Sequence, residues 1–184
     1  MPPQQISPSQ ASRSPWSAAM SQAAIEAVGK ALSRNPRLKV VAPAPAVREA
    51  EVVFLATPFQ SNEAALLPLG SELAGKILVD CTNPVGPGLT HGLGNTRSGS
   101  EMVQGLVPGA RVVKAFTIYG FENFENSAYP GYGDLRPAML LAGDDAEGKA
   151  TVGRLCEELG WRPVDVGPLS SALHLEHMTL LWIK

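Results

Sequence analysis

The chain is poor in the features that mark several large protein classes. It has two cysteines in 184 residues, Cys81 and Cys156. One ends an apolar run and the other lies in a helical pattern, so buried free thiols are expected rather than a disulfide. No apolar run approaches the roughly 20 residues that a membrane-spanning helix needs. The N-terminus lacks the charged-then-apolar layout of a secretory signal, so a cytoplasmic setting is expected. Charge of one sign is also missing: 15 basic against 17 acidic residues leave a formal −2. That balance excludes an electrostatic case for nucleic acid or an anionic membrane surface. The three histidines show no metal-ligand spacing; His174 and His177 lie three apart without a third ligand nearby in sequence. The last absence is the phosphate cradle. No Gly-x-Gly-x-x-Gly follows an opening strand, and no Gly-Lys-Ser/Thr follows the Gly86–Gly94 stretch.

What is present alternates. Val52-Val53-Phe54-Leu55-Ala56 runs into Thr57-Pro58, and Ile77-Leu78-Val79 runs into Asp80-Cys81-Thr82-Asn83-Pro84. Short β-branched runs that stop at a polar residue and a proline read as buried parallel strands. Their carboxyl ends open onto loops, where open α/β sheets bind ligands. Residues 1–16, rich in Pro, Ser and Gln, are expected to form a disordered tail. Helical spacing holds from Ser17 to about Arg34, and Asn35-Pro36 ends it. Leu38–Val41 is a candidate short strand, Pro43 and Pro45 suggest a loop, and Ala46–Ala50 a helical turn. A helix over Gln60–Leu73 should be kinked or shortened by Pro68.

Further along, Val85–Thr96 reads as a long loop, with His91 expected to face solvent. Ser98–Val107 is a helix capped by Ser98 or Ser100, and Arg111–Phe116 is a strand. Tyr119–Arg136 is an irregular connection whose aromatic residues either wall a flat-ring site or pack a surface loop. Ala138–Ala142 is a strand. The next helix has Asp144 as N-cap and Gly160 after its end. Pro163–Val166 is the last strand and Ser170–Lys184 the last helix. The alternation predicts a parallel sheet flanked by helices, an α/β fold.

Six blocks in fixed order carry a family resemblance: VVFLATPFQ from Val52, GKILVDCTNPVGPG from Gly75, ARVVKAF from Ala110, GFEN from Gly120, LLAGDD from Leu140 and VDVGPL from Val164. Together they resemble the small dinucleotide-binding proteins related to coenzyme F420-dependent NADP oxidoreductase. The resemblance spans roughly residues 50–184. It implies a single Rossmann-type, doubly wound domain over residues 17–184 that holds NADP(H). It also implies hydride exchange with coenzyme F420 or a flavin as co-substrate. The protein's part in that chemistry is orientation, because the cofactors carry the reaction; no catalytic residue and no metal ligand is assigned.

By resemblance, Ser12 and Arg13 match the pair that holds the 2′-phosphate of NADP, a task the planar fork of arginine suits. Thr57, Pro58 and Phe59 match the loop beside the ribose and pyrophosphate. Thr82, Asn83 and Pro84 match the loop near the nicotinamide, and Ala115 with Phe116 the back of the transfer pocket. Two departures stand out. After KAF the family usually has Asn, whereas this chain has Thr117-Ile118. The family's opening strand, Gly-rich turn and helix have no counterpart before Ser12, so the first βα unit is expected to be missing. Its loss would leave the Val52 strand with an open edge and remove the helix N-terminus that binds pyrophosphate.

Other readings fit the same residues. Ser12-Arg13 is otherwise a polar pair in a tail, and the two proline-ended loops are ordinary strand punctuation. The whole chain then reads as a non-catalytic remnant that binds or assembles, with its apolar C-terminal helix forming a homodimer. An NADPH reductase acting on a flavin, quinone or metal ion is the other alternative.

Overall fold

The computed structural model describes residues 22–184 except 36 and 121. Ser12, Arg13 and the Pro/Ser/Gln-rich stretch lie outside the described residues. Residues up to Glu49 and those from Ala50 onward form two compact units. The described part of the first unit holds α1 (Gln22–Arg34) and α2 (Pro43–Glu49). After α1, the Asn35 side-chain carbonyl accepts from the Arg37 amide at 3.0 Å and turns the chain. Leu38–Val41 is not a strand. Pro43 and Pro45, expected to make a loop, instead open α2. The first helical turn has amides without intrahelical partners, so proline costs nothing there.

The second unit carries a five-stranded sheet in the order β1 (Val52–Leu55), β2 (Ile77–Asp80), β5 (Arg111–Lys114), β6 (Ala138–Gly143), β7 (Arg162–Asp165). β1, β2 and β5 run parallel, with Val52 beside Ile77 and Ile77 beside Arg111. All four residues of β2 are buried. That is the signature of a central strand covered on both faces and explains its uninterrupted apolar run. β1 is an edge strand among the described residues, and Phe54 on it is 47% exposed.

The expected all-parallel sheet needs correcting at β6, which pairs antiparallel to β5 through Val113–Gly143 and Lys114–Ala142. A parallel return needs an element that carries the chain back along the sheet. The connection between these strands has only the four-residue helix α5 (Glu122–Glu125), so the chain turns back at the same sheet end. β6 and β7 are again parallel, joined across α6 (Ala146–Glu158).

On one face of the sheet Val79, Val113, Met139, Leu141, Val152 and the fully buried Trp161 form the main cluster. Trp161 packs against Tyr119 and Phe124, with centroids 4.8 and 5.7 Å away. On the other face Ala142 meets Ala172 and Leu175 of α7 (Ala172–Ile183). Pro68 acts as expected: α3 is only Asn62–Leu66, and a 3-10 turn follows over Leu67–Leu69. α6 is capped by Asp145, not Asp144, because the Asp145 carboxylate reaches the Gly148 amide at 2.6 Å. Asp144 accepts instead from the Leu169 amide at 2.9 Å. Gly160, at φ 82°, takes the left-handed turn that ends α6.

Candidate functional site

The carboxyl ends of β1, β2 and β5 lie side by side, because the three strands are parallel and in register. Their following loops bring together the residues expected at a cofactor. The first link starts at Thr57, whose hydroxyl donates to Asn62 Oδ1 at 2.7 Å. Asn62 Nδ2 donates in turn to Thr82 Oγ1 at 2.9 Å. The second link is between Thr117 Oγ1, donating at 2.9 Å, and Asn83 Oδ1. Loop β1–α3 is thus tied to the loop after β2, and that loop to the end of β5. Thr57, Phe59 and Asn83 are half-buried and Pro58 is exposed, whereas Thr82, Pro84 and Ala115 are buried. The latter three support the surface rather than form it. A cleft of about 290 Å³ opens beside them, lined by Phe59, Glu63, Pro84, Gly86 and Met102.

Phe116 and Ile118 both have left-handed backbone, at φ 51° and 67°. For an aromatic and a β-branched residue this is strained, by about 1–3 kcal/mol each. The packing that holds it is visible: Phe116 stacks on Phe54 and Phe124 at 5.5 and 5.7 Å. Between the two strained residues, Thr117 turns inward to Asn83. Tyr119 bonds the Ala138 carbonyl at 2.9 Å, while Tyr129, Tyr132, Leu135 and Arg136 edge an open hollow of about 380 Å³.

Beneath the loops lies a cluster of buried charges that sequence reasoning did not find. Asp80 Oδ1 accepts from the Thr82 amide at 2.9 Å and the Thr82 hydroxyl at 2.7 Å. Its Oδ2 accepts from Ser100 Oγ at 2.6 Å and lies 3.5 Å from Lys114 Nζ. Lys114 donates to the Thr82 carbonyl and pairs with Glu176 Oε1 at 3.5 Å. Glu176 comes from α7 and accepts from the Gly99 amide at 2.9 Å. Asp80, Lys114 and Glu176 are all within 1% of complete burial. The pattern supplies what buried charges require, namely opposite charge and a full set of hydrogen bonds.

α4 (Gly99–Leu106) starts here with a capping box between Ser98 and Glu101. Its first amides point at Glu176, so the positive end of this helix is occupied by the protein's own carboxylate. A side chain on Gly99 would meet the Phe59 ring at 2.7 Å and Glu176 at 3.1 Å, which is why glycine stands there.

His91 is buried, contrary to the expected exposure. The segment read as a plain loop contains a hairpin, β3 (Val85–Gly86) against β4 (Thr90–His91), that folds the ring inward. Its Nδ1 accepts from the Leu93 amide at 3.3 Å, so the proton sits on Nε2 and is donated to Glu176 Oε2 at 2.8 Å. Two signals were available. Lys114 is the one charge inside the run Val112–Phe116, and Glu176 the one acid within α7. A charge inside an apolar element is buried with a partner or does not belong to that element.

Cys81 is half-buried at the end of β2, and Cys156 is buried in α6; both are free. Loss of solvent, with the Asp80 charge second, pushes the Cys81 thiol up to about 12. Burial, then Glu157, raises Cys156 to about 11. Neither is a nucleophile near neutral pH. Among the described residues no helix is long and apolar enough to cross a membrane. Nor do any three His, Cys, Asp or Glu among them form a metal cluster.

The model of the NADP oxidoreductase, coenzyme F420-dependent, family matches residues 9–84. That span includes Ser12, Arg13 and both proline-ended loops. The crystal structure of a candidate F420-dependent NADP reductase from Arthrobacter sp. FB24 is 30% identical, with a TM-score of 0.79 over 93% of this chain and 78% of that one. The chain belongs to the F420-dependent NADP oxidoreductase family. Two curated relatives agree. The F420-dependent NADP reductase of Methanocaldococcus jannaschii is 31% identical over 148 residues, 75% of this chain and 63% of that protein. The metalloreductase STEAP3 of Rattus norvegicus is 36% identical over 135 residues, 73% of this chain and 26% of that protein. The chain therefore spans less than two thirds of either curated relative. As a family member it is an NADP-dependent oxidoreductase by descent, with a Rossmann-like sheet.

Proposed function

We propose that this chain binds NADP(H) over the carboxyl ends of β1, β2 and β5 and passes hydride to or from a deazaflavin- or flavin-type acceptor. The observation that carries the reading is the tying of three strand-end loops into one surface by Thr57–Asn62–Thr82 and Asn83–Thr117. Rossmann-type sheets bind dinucleotides at this edge. The residues present fit the group in part. Thr57, Pro58, Phe59 and Asn83 have free surface, and Thr82, Pro84 and Ala115 hold them from behind. α4 offers the pyrophosphate nothing, because Glu176 already fills its N-terminus. The phosphates are therefore assigned to Ser12 and Arg13.

Bound NADPH would supply the hydride, and the chain's task is to hold two flat rings together while excluding water. The hollow edged by Tyr119, Tyr129 and Tyr132 follows the end of β5 and is the proposed seat of the acceptor ring. A metal ion as final acceptor is the second reading, favoured by the 36% identity to a metalloreductase. α7 leaves Leu181, Trp182 and Ile183 exposed at its end, a surface we propose pairs two copies.

Calorimetric titration with NADPH, with NADH as control, tests the cofactor reading. Micromolar NADPH binding that is lost in Arg13→Ala is expected. A folded chain that ignores millimolar NADPH is a non-catalytic binding module instead. Turnover of reduced coenzyme F420, flavin or ferric iron then separates the acceptors.

A further inference from the structure

Thr117 stands where the family usually has an asparagine, so the amide expected at that point is absent. The structure places another amide beside it. Asn83 Oδ1 is held by the Thr117 hydroxyl, and Asn83 Nδ2 makes no hydrogen bond among the described residues. No buried side-chain nitrogen or oxygen lacks a partner, so this half-buried amide's free end reaches solvent. Asn83 thus turns its acceptor inward and two donors outward, at the carboxyl edge of the sheet.

Thr117 is itself held from α7. Thr179 Oγ1 lies 2.8 Å from Thr117 Oγ1 and accepts from the Ile118 amide at 3.1 Å. Thr179 is 8% exposed. It follows Glu176 by one helical turn, and Glu176 is fixed by Lys114, His91 and the Gly99 amide. The helix that carries Thr179 is therefore pinned by buried charge. The left-handed residues Phe116 and Ile118 bracket Thr117 and aim it between the two partners.

We infer that a relay from Thr179 through Thr117 fixes the Asn83 carboxamide as a two-donor group that binds the carbonyl oxygen of the nicotinamide ring. Asn83 touches the ligand; Thr117 and Thr179 are positioning residues, and the C-terminal helix belongs to the site. A carbonyl is the fitting acceptor because both exposed Nδ2 hydrogens are donors. The inference rests on the NADP(H) reading above.

The test compares NADPH with 2′-phospho-ADP-ribose, which has the same phosphates and adenosine but no nicotinamide. Asn83→Asp removes the donors at constant shape and is expected to weaken NADPH about 10- to 100-fold, a hydrogen bond's worth or more. Binding of 2′-phospho-ADP-ribose should stay unchanged. Thr179→Val should weaken NADPH about 3- to 10-fold, and Thr179→Ser, which keeps the hydroxyl, should restore it. Equal weakening of both ligands would mean a general packing role and overturn the inference. So would an Asn83→Asp chain that binds NADPH like wild type. Failure of folded wild type to bind either ligand removes the cofactor reading, and the inference falls with it. Wild type that binds 2′-phospho-ADP-ribose as tightly as NADPH keeps that reading and overturns the inference alone. Should Thr179→Val melt markedly lower, the Thr117→Ser and Thr117→Val pair decides by the same two ligands.

Discussion

Lys114 is the residue on which the buried cluster turns. It stands between two carboxylates with no water to share the charge. Lys114→Met keeps the length of the side chain but leaves Asp80 and Glu176 facing each other. Breaking a buried pair in this way costs about 3–5 kcal/mol. Denaturant unfolding of Lys114→Met should show a loss of that size, and a loss under 1 kcal/mol would mean that water enters the cluster. Cys81 leads to a prediction of opposite character. Its folded pKa, about 12, lies above the 9.0 of an unperturbed thiol, so the folded state holds the proton more tightly than the unfolded one. The stability this brings is complete below pH 9 and declines as pH rises toward 12. Chemical unfolding of wild type and Cys81→Ala from pH 7 to 11 should show the steeper alkaline decline in wild type; parallel curves would refute the raised pKa. At this scale the sequence was least legible. His91, Lys114 and Glu176 are 62 residues apart from end to end of the latter pair, and nothing local in the chain announces that they meet.

Among the elements, those with strong periodicity or punctuation were legible. β1, β2 and β5 begin and end within two residues of the reading from their apolar runs. The Ser98 cap was legible because a small polar residue followed by Glu three positions later satisfies two orphan amides at once. Ser98→Ala should cost about 1 kcal/mol by removing that cap, readable as a lower melting temperature. Where two residue types carry opposing messages, the reading failed. Pro43 and Pro45 punctuate loops in most contexts, but they also start helices, and only the surrounding chain decides which. The direction of β6 was likewise hidden, since an antiparallel strand buried on both faces has the same apolar run as a parallel one. α7 is apolar to its last turn because it serves the sheet, Asn83 and an exposed end together. Leu181→Lys with Trp182→Lys should convert a dimer to a monomer in sedimentation without lowering the melting temperature.

For the whole molecule, a ligand that binds only the folded state adds stability by mass action. NADPH at a hundred times its dissociation constant should stabilise the chain by about 2.7 kcal/mol. A thermal shift with NADPH and none with NADH is the expected pattern, because the 2′-phosphate is the group Arg13 is assigned. Equal shifts would move the specificity elsewhere. The order of the six blocks was enough to place the chain among F420-dependent NADP oxidoreductases, since each block is a strand end or a turn whose residue types the backbone geometry constrains. The sequence by itself determined the alternation of strands and helices, the proline-ended loops and the kinship. These depend on near neighbours along the chain, where side-chain periodicity and backbone dihedral preference act directly. Only the tertiary structure decided the antiparallel turn of β6, the burial of His91, the charge cluster at the start of α4 and the orientation of Asn83. Each depends on groups distant in sequence finding opposite charge or a hydrogen-bond partner once water has been removed, and that condition exists only in the packed molecule.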